Sequence, residues 1–208
     1  MRPPEAEPRD RPRRRLDGAA RRSELLDAAR RLIVEQGYLP LSMEALGRAA
    51  GVSKALVYAH FPDQHDLYNA VVEAALDDLD RRGSIARPSP GDDLPSAACA
   101  AAETYLAHVS SCGTVLHIVY RDLYMSGRLT PRARRARDRV MGGFARAARR
   151  TYGCPAREAL AATNLILTLP EEVGRLVFQG DLAAARGAAL CRELVLGALT
   201  ALAETARR

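Results

Sequence analysis

The sequence predicts an all-α protein: an N-terminal three-helix helix-turn-helix unit followed by a larger helical domain, about nine helices in all. Three observations lead there. Apolar residues recur at spacings of three and four along most of the chain. No segment sustains a period of two, and glycines and prolines fall where the helical pattern stops. Across 208 residues, 48% hydrophobic and 27% charged, there is enough apolar material for a core, which excludes wholesale disorder. The longest uncharged apolar runs are about ten residues, short of a bilayer span. The first residues are rich in arginine and proline without an apolar stretch, so no secretory signal is expected and the chain is read as cytoplasmic.

Residues 1–20 hold four prolines and no apolar period, and are read as a flexible basic arm. From Arg21 to Gln36, Leu25, Ala28, Ala29, Leu32 and Ile33 fall on one helical stripe that Gly37 stops. Ser42 is placed to cap a short helix ending at Ala50, with Glu44 in its first turn. Gly51-Val52-Ser53 makes a turn, and Ser53 caps a second short helix from Lys54 to His60, closed by Pro62. Asp63 then caps a longer helix to Arg82, with Leu67, Val71, Ala74 and Ala75 as its apolar stripe.

Residues 83–95, with three prolines and two glycines, read as a linker. Beyond it the pattern predicts helices over 96–111, 114–125, 131–152, 155–179 and 182–206, with Pro131 and Pro155 at helix starts, Asp181 capping the last and Pro170 kinking the one before. These boundaries divide the chain into an arm (1–20), a unit of short helices with its connecting helix (21–82), the linker (83–95) and a larger helical domain (96–208), for which the resemblance given below implies DNA binding in the second and ligand binding and dimerisation in the last.

Two short helices joined by a tight turn are the ingredients of a helix-turn-helix, whose second helix enters the major groove. Leu46, Ala49, Val52 and Val57 supply a small core that packs on Leu25, Leu32 and Ile33, and Ala50-Gly51 permits the sharp turn. Lys54, Ala55, Leu56, Tyr58 and His60 are left as the outward surface.

At these residues the chain resembles the tetracycline-repressor (TetR) family of bacterial transcription regulators. The resemblance rests on Gly37-Tyr38, Ser42, Ala49-Ala50-Gly51-Val52-Ser53-Lys54, Val57-Tyr58-Ala59-His60-Phe61 and Leu67, in that order and spacing, and it covers residues 21–70. It implies a homodimeric, ligand-responsive repressor that binds a near-palindromic double-stranded DNA operator and leaves it when a small-molecule effector binds. Ser42 would contact a phosphate. Ser53, Lys54, Ala55 and Leu56 would lie at the N-terminal end of the recognition helix, with Tyr58 and His60 on bases or backbone and Gln64 at a phosphate position. The chain departs from the family's frequent residues at Ala55 and Leu56 (glycine and threonine), at Gln64 (lysine) and at Glu44 (basic in some members). Those departures support an alternative, a dimeric helical interaction module without specific DNA binding.

The net charge of +6 is unevenly distributed. Residues 1–22 carry eight arginines against four acids, whereas 23–82 carry six basic residues against ten acidic. DNA affinity draws on neutralised phosphates. Two readings of the arm stand side by side: it supplies attraction that the helix-turn-helix lacks, through Arg9, Arg11, Arg13, Arg14 and Arg15 with Arg21 and Arg22, along phosphates or in a minor groove, or it is a solvated tail that aids solubility. Residues 130–152 hold eight arginines and one aspartate. Arg132, Arg135, Arg139, Arg146 and Arg150 fall along one helical face, read first as a solvated surface whose aliphatic stems cover apolar neighbours.

For the C-terminal domain the resemblance implies an effector pocket, with Tyr105, His108, Val109, Leu116, His117, Tyr120, Tyr124, Met125 and Phe144 as candidate lining. It also implies a four-helix dimer interface from the last two helices: Leu165, Leu169, Val173, Leu176 and Val177 facing Leu190, Leu194, Ala198 and Ala201, with Gly174 and Gly197 allowing close approach. No paired carboxylates and no nucleophile–base set point to an enzyme, and no cofactor is expected. Cys99, Cys112, Cys154 and Cys191 show no CxxC pairing, so reduced thiols are expected rather than disulfides or zinc ligands. His108 and His117 have no carboxylate nearby in sequence, and Cys99 and Cys112 no activating neighbour, so neither a metal site nor a thiol sensor is expected.

Overall fold

The structure, a computed structural model, describes residues 18–83, 85 and 88–207. Among these it is helical throughout. Helix α1 spans Gly18–Gln36, α2 Met43–Ala49, α3 Lys54–His60 and α4 Gln64–Arg81. Then come α5 (Leu94–Cys112), α6 (Val115–Arg121), a 3₁₀ turn (Leu123–Met125), α7 (Pro131–Tyr152), α8 (Ala156–Gln179) and α9 (Ala184–Thr205). No helix among the described residues is long and apolar enough to cross a membrane.

The caps explain most boundaries. Ser42, Ser53 and Asp63 each accept a hydrogen bond from the backbone N–H three residues on, which satisfies an otherwise orphaned donor. Thr130 does the same for α7 ahead of Pro131. Gly37 ends α1 at φ +78, a conformation L side chains rarely adopt.

Two sequence expectations need correction. The helix expected over 114–125 stops at Arg121. Asp122 uses one carboxylate oxygen to accept from Tyr124 N at 2.8 Å and the other from Leu39 N at 3.1 Å, so local side-chain bonding replaces the helical ladder. Asp181 does not cap α9: Gly180 turns the chain at φ +83 and α9 starts after Ala183 without a side-chain cap. Pro170 is buried within α8, which continues from Ala156 to Gln179.

Core packing crosses the expected linker. One continuous cluster joins Leu25, Ile33, Leu46, Val57 and Phe61 through α4 (Leu67, Tyr68, Val72, Leu76) to Tyr105, Val109, Val119 and Met125. Apolar burial of this kind stabilises by roughly 25 cal/mol per Å² and is non-directional, so α4 is held by the N-terminal helices and the C-terminal bundle at once. A second cluster packs α5 on α8 and α9 through Leu106, Val173, Cys191, Val195 and Leu199. Gly174 allows that approach, since a Cβ there would sit 2.6 Å from Val109 Cγ1.

Candidate nucleic-acid interface

The helix-turn-helix is built from the inside out. Leu46 and Val57 are fully buried and Met43 nearly so, on the same cluster as Leu25 and Ile33. The close approach falls on a glycine that the sequence reading passed over. A Cβ on Gly47 would lie 3.0 Å from the Val52 carbonyl, and Val52 N donates to Gly47 O at 2.9 Å. Gly51 meets no neighbour but takes φ +65, so the turn needs it for conformation rather than space. Ala49, expected inside, is exposed, and Val52 is half-buried.

With Val57 turned inward, Ser53, Lys54, Ala55, Leu56 and Tyr58 form one exposed surface on and before α3. Leu56 is 37% exposed and Tyr58 43%, large apolar and aromatic groups that solvent alone does not favour. Ser42 is exposed at the start of α2, and His60 is half-buried at the end of α3. Glu44 forms an ion pair with Arg48 at 2.7 Å, so its charge is locally offset.

Gln64 differs from its expected role at a phosphate. Its Nε2 donates to Leu41 O at 2.7 Å and its Oε1 accepts from the Tyr124 hydroxyl at 2.6 Å, which commits both ends of the amide inside the protein. Arg22 likewise has an internal partner: it donates to His60 O at 2.7 Å and lies 4.3 Å from the Phe61 ring centroid, tying α1 to the end of α3. Arg21 pairs with Glu24. Arg9, Arg11, Arg13, Arg14 and Arg15 lie outside the described residues.

A polar ladder on α4 holds this unit to the C-terminal region. His65 stacks on Tyr124 at 4.6 Å and contacts Arg128 at 2.8 Å. Asn69 donates to Arg128 O and accepts from Thr130 N at 3.1 Å. Glu73 accepts from the Thr130 hydroxyl and from Arg132 at 2.6 Å. Arg132 also reaches Asp77 and Asp80, so it clamps α7 to α4 and does not belong to the solvated arginine face expected for it. These positions recur every three or four residues, one stripe of a helix.

Behind α4 lies a cavity of about 380 Å³ walled by α4, α5, α6, α7 and α8. Of the candidate pocket residues, Tyr105, His117 and Tyr120 line it. Val109, Leu116 and Met125 are buried in the main core, Tyr124 braces Gln64, and Phe144 borders a separate, small gap of about 40 Å³. The cavity's polar feature is Glu171, which accepts from the Tyr105 hydroxyl at 3.0 Å and pairs with His117 Nδ1. Burial, then the Glu171 charge, pushes the Tyr105 phenol well above its ordinary value. Sequence reasoning missed Glu171. The available clue was an acid in register with Leu167 and Gly174 on an otherwise apolar stripe.

His108 and His117 therefore both have carboxylate partners, contrary to expectation. His108 is fully buried; its Nδ1 lies 2.8 Å from Asp78 Oδ2, and its Nε2 has no partner among the described residues. Cys112 has activating neighbours after all: the His108 hydrogen bond lowers its thiol below the ordinary range, against burial and aided by Ser111. Ligand atoms of Asp78, His108 and Cys112 lie within 4.8 Å of one another. Arg82 at 2.7 Å and Arg81 at 3.4 Å already supply positive charge to that carboxylate, which disfavours a metal cation there.

Burial raises the Asp78 carboxyl, but hydrogen bonds from Arg82 and His108 outweigh it and hold the group at about 2. A depressed folded-state value gives stability that is present above the unfolded value near 3.8 and lost as pH falls toward 2. Asp78→Asn is therefore expected to cost about 2 kcal/mol at pH 7, and the gap from wild type should close as denaturant titrations are repeated at falling pH. A gap that stays constant down to pH 2 would show that Asp78 acts through packing alone.

The tetR family model of bacterial regulatory proteins matches residues 25–71. The chain is 40% identical over 65 residues to the HTH-type transcriptional activator FasR of Mycolicibacterium smegmatis, covering 31% of this chain and 30% of that one. It is 37% identical over 68 residues to the HTH-type transcriptional repressor Rv1474c of Mycobacterium tuberculosis, covering 33% and 35%. The match thus spans about a third of each curated relative. Over the whole chain, a TetR-like regulator from a Rhodococcus species superposes with a TM-score of 0.63 at 21% identity, covering 89% of this chain and 99% of that one. A TetR variant from Acinetobacter baumannii in complex with minocycline superposes at 0.56 and 17% identity, covering 92% and 99%. Residues 25–71 thus carry the helix-turn-helix of the tetR family of bacterial regulatory proteins, and the all-helical fold behind it is the one TetR-like regulators share.

Proposed function

We propose that the protein is a cytoplasmic, homodimeric transcriptional repressor that binds a near-palindromic operator through α3 and is released by a small molecule in the α4–α8 cavity. The observation that carries the reading is the placement of α4. Its first turns are bonded to the reading unit and its brace through Gln64, His65 and Asn69, while Leu76 and Leu79 form a wall of the cavity. A ligand that fits the cavity better in one position of α4 shifts the pair of recognition helices, with a coupling of about 1–3 kcal/mol typical of such links. The alternative of a module without DNA binding draws less support, since Glu44 is offset by Arg48 and Gln64 is an internal brace.

Selection of duplexes from a random library by the purified full-length protein, at two salt concentrations, tests the reading. A palindrome with half-sites about 34–36 Å apart is expected, with a salt dependence to which the arginine arm contributes. Retention without any motif, or no retention, would overturn specific operator binding. A promoter fusion carrying the selected site then reads the sign of regulation.

A further inference from the structure

We propose that the α4–α8 cavity takes an amphipathic organic carboxylate, with its acid group held by Arg121, Arg137 and Arg139 and its apolar body lying between α4, α7 and α8. The inference rests on the proposed effector role of the cavity and deepens it by naming the ligand's chemistry.

The charges around the cavity are unequally satisfied. Of its two carboxylates, Glu171 is taken up by Tyr105 and His117, and Asp80 by Arg132. Its three arginines, by contrast, pair with no carboxylate among the described residues. Arg137 is held in place all the same. It donates to Tyr120 O at 3.2 Å and its guanidinium lies 5.6 Å from the Tyr120 ring centroid, which leaves further N–H groups of its planar fork unused.

Besides the arginines, the lining has polar groups at Asp80, His117, Asn164, Thr168 and Glu171, and its apolar part is formed by Leu76, Leu79, Val140 and Leu167 with the rings of Tyr105 and Tyr120. A carboxylate entering a partly apolar cavity loses hydration and needs paired donors in return, which a guanidinium fork supplies in bidentate form. A cationic ligand would meet three guanidinium groups, and its natural counter-charge, Glu171, is already engaged. A neutral ligand fills the apolar part but leaves the arginine donors to water. The cavity lies at the small end of the range for ligand sites, about 300–1,000 Å³, and suits one compact body with one acid group.

Calorimetry on the full chain without DNA tests this with decanoate and phenylbutyrate, each beside the alcohol and the amine of the same carbon skeleton. The acid is expected to bind at least about tenfold tighter than its alcohol, as a charge-assisted hydrogen bond implies, and the amine weakest. Arg121→Gln combined with Arg139→Gln should reduce that advantage to about twofold or less while the alcohol binds as before, which reports an intact cavity. Acid and alcohol binding equally, the amine binding tightest, or neither acid binding would overturn the proposal. Operator affinity measured separately keeps the two readings apart. An acid that binds without altering DNA affinity upholds the ligand class and removes the effector role. A different compound that releases the operator, with no acid bound, does the reverse.

Discussion

The double substitution Lys54→Ala and Tyr58→Ala is expected to lower operator affinity by at least about a hundredfold while leaving the fold intact. Both residues are exposed on α3 and flank the fully buried Val57, so their truncation opens no cavity. Lys54 is the only lysine in the chain and stands at the first position of α3. Losing one phosphate contact weakens all sequences alike and reduces the salt slope by about one, whereas a base-directed contact is worth about 1–3 kcal/mol and relaxes specificity. Anisotropy titrations of the selected duplex and a scrambled one, at two salt concentrations, separate the contributions. The scrambled duplex should lose only the Lys54 part. Retained discrimination between the duplexes in the double variant would remove α3 as the reading element, and an unchanged melting temperature guards against unfolding as the cause.

Most of the fold was legible because helix starts and stops are local. Ser42, Ser53 and Asp63 each act within three residues of their position, so spacing alone revealed them. The exposed surface of α3 followed from periodicity around Val57. What escaped was set by partners distant in sequence. Gln64 looks like a surface amide until Tyr124 and Leu41 are seen to occupy its two ends. Arg132 looks like one more arginine of a basic face until Glu73, Asp77 and Asp80 converge on it from α4. His108 seemed to have no acid nearby because Asp78 lies thirty residues earlier on another helix. Gly47 was missed because its need is steric and comes from a turn that has first to fold back on it. Val173 was assigned to the dimer surface, yet it is buried within the protomer against Cys191 and Val195. An apolar stripe on α8 that serves both an internal and an external face carries no mark of which residue belongs to which.

That division points to the second large effect, an arginine at Leu194. The proposed dimer surface retains exposed apolar groups on the last two helices: Leu165 at 69%, Leu160 at 46%, and Phe178 and Leu194 each at 41%. Leu169, Leu176, Val177, Leu190 and Ala198 are half-buried beside them. Gly197 on α9 has nothing within 4 Å of where its Cβ would stand, so the close approach it was expected to allow is not made within the protomer. Large apolar groups left exposed on neighbouring helices mark an association surface more often than a solvated one. Leu165 also lines the cavity, which makes Leu194 the cleaner site for substitution. A twofold interface presents the same patch from both copies, so Leu194→Arg places two like charges in one apolar contact and removes two leucines from it. At about 2 kcal/mol or more per copy, the dimer should weaken by roughly a thousandfold. Sedimentation at micromolar protein should then show monomers with unchanged helical content, and operator binding should fall with dimerisation, because each half-site alone holds one recognition helix. A variant that stays dimeric would place the twofold contact elsewhere. A monomer that binds the full operator with wild-type affinity would separate DNA reading from dimer geometry, and with it the route by which a ligand behind α4 changes the spacing of two α3 helices.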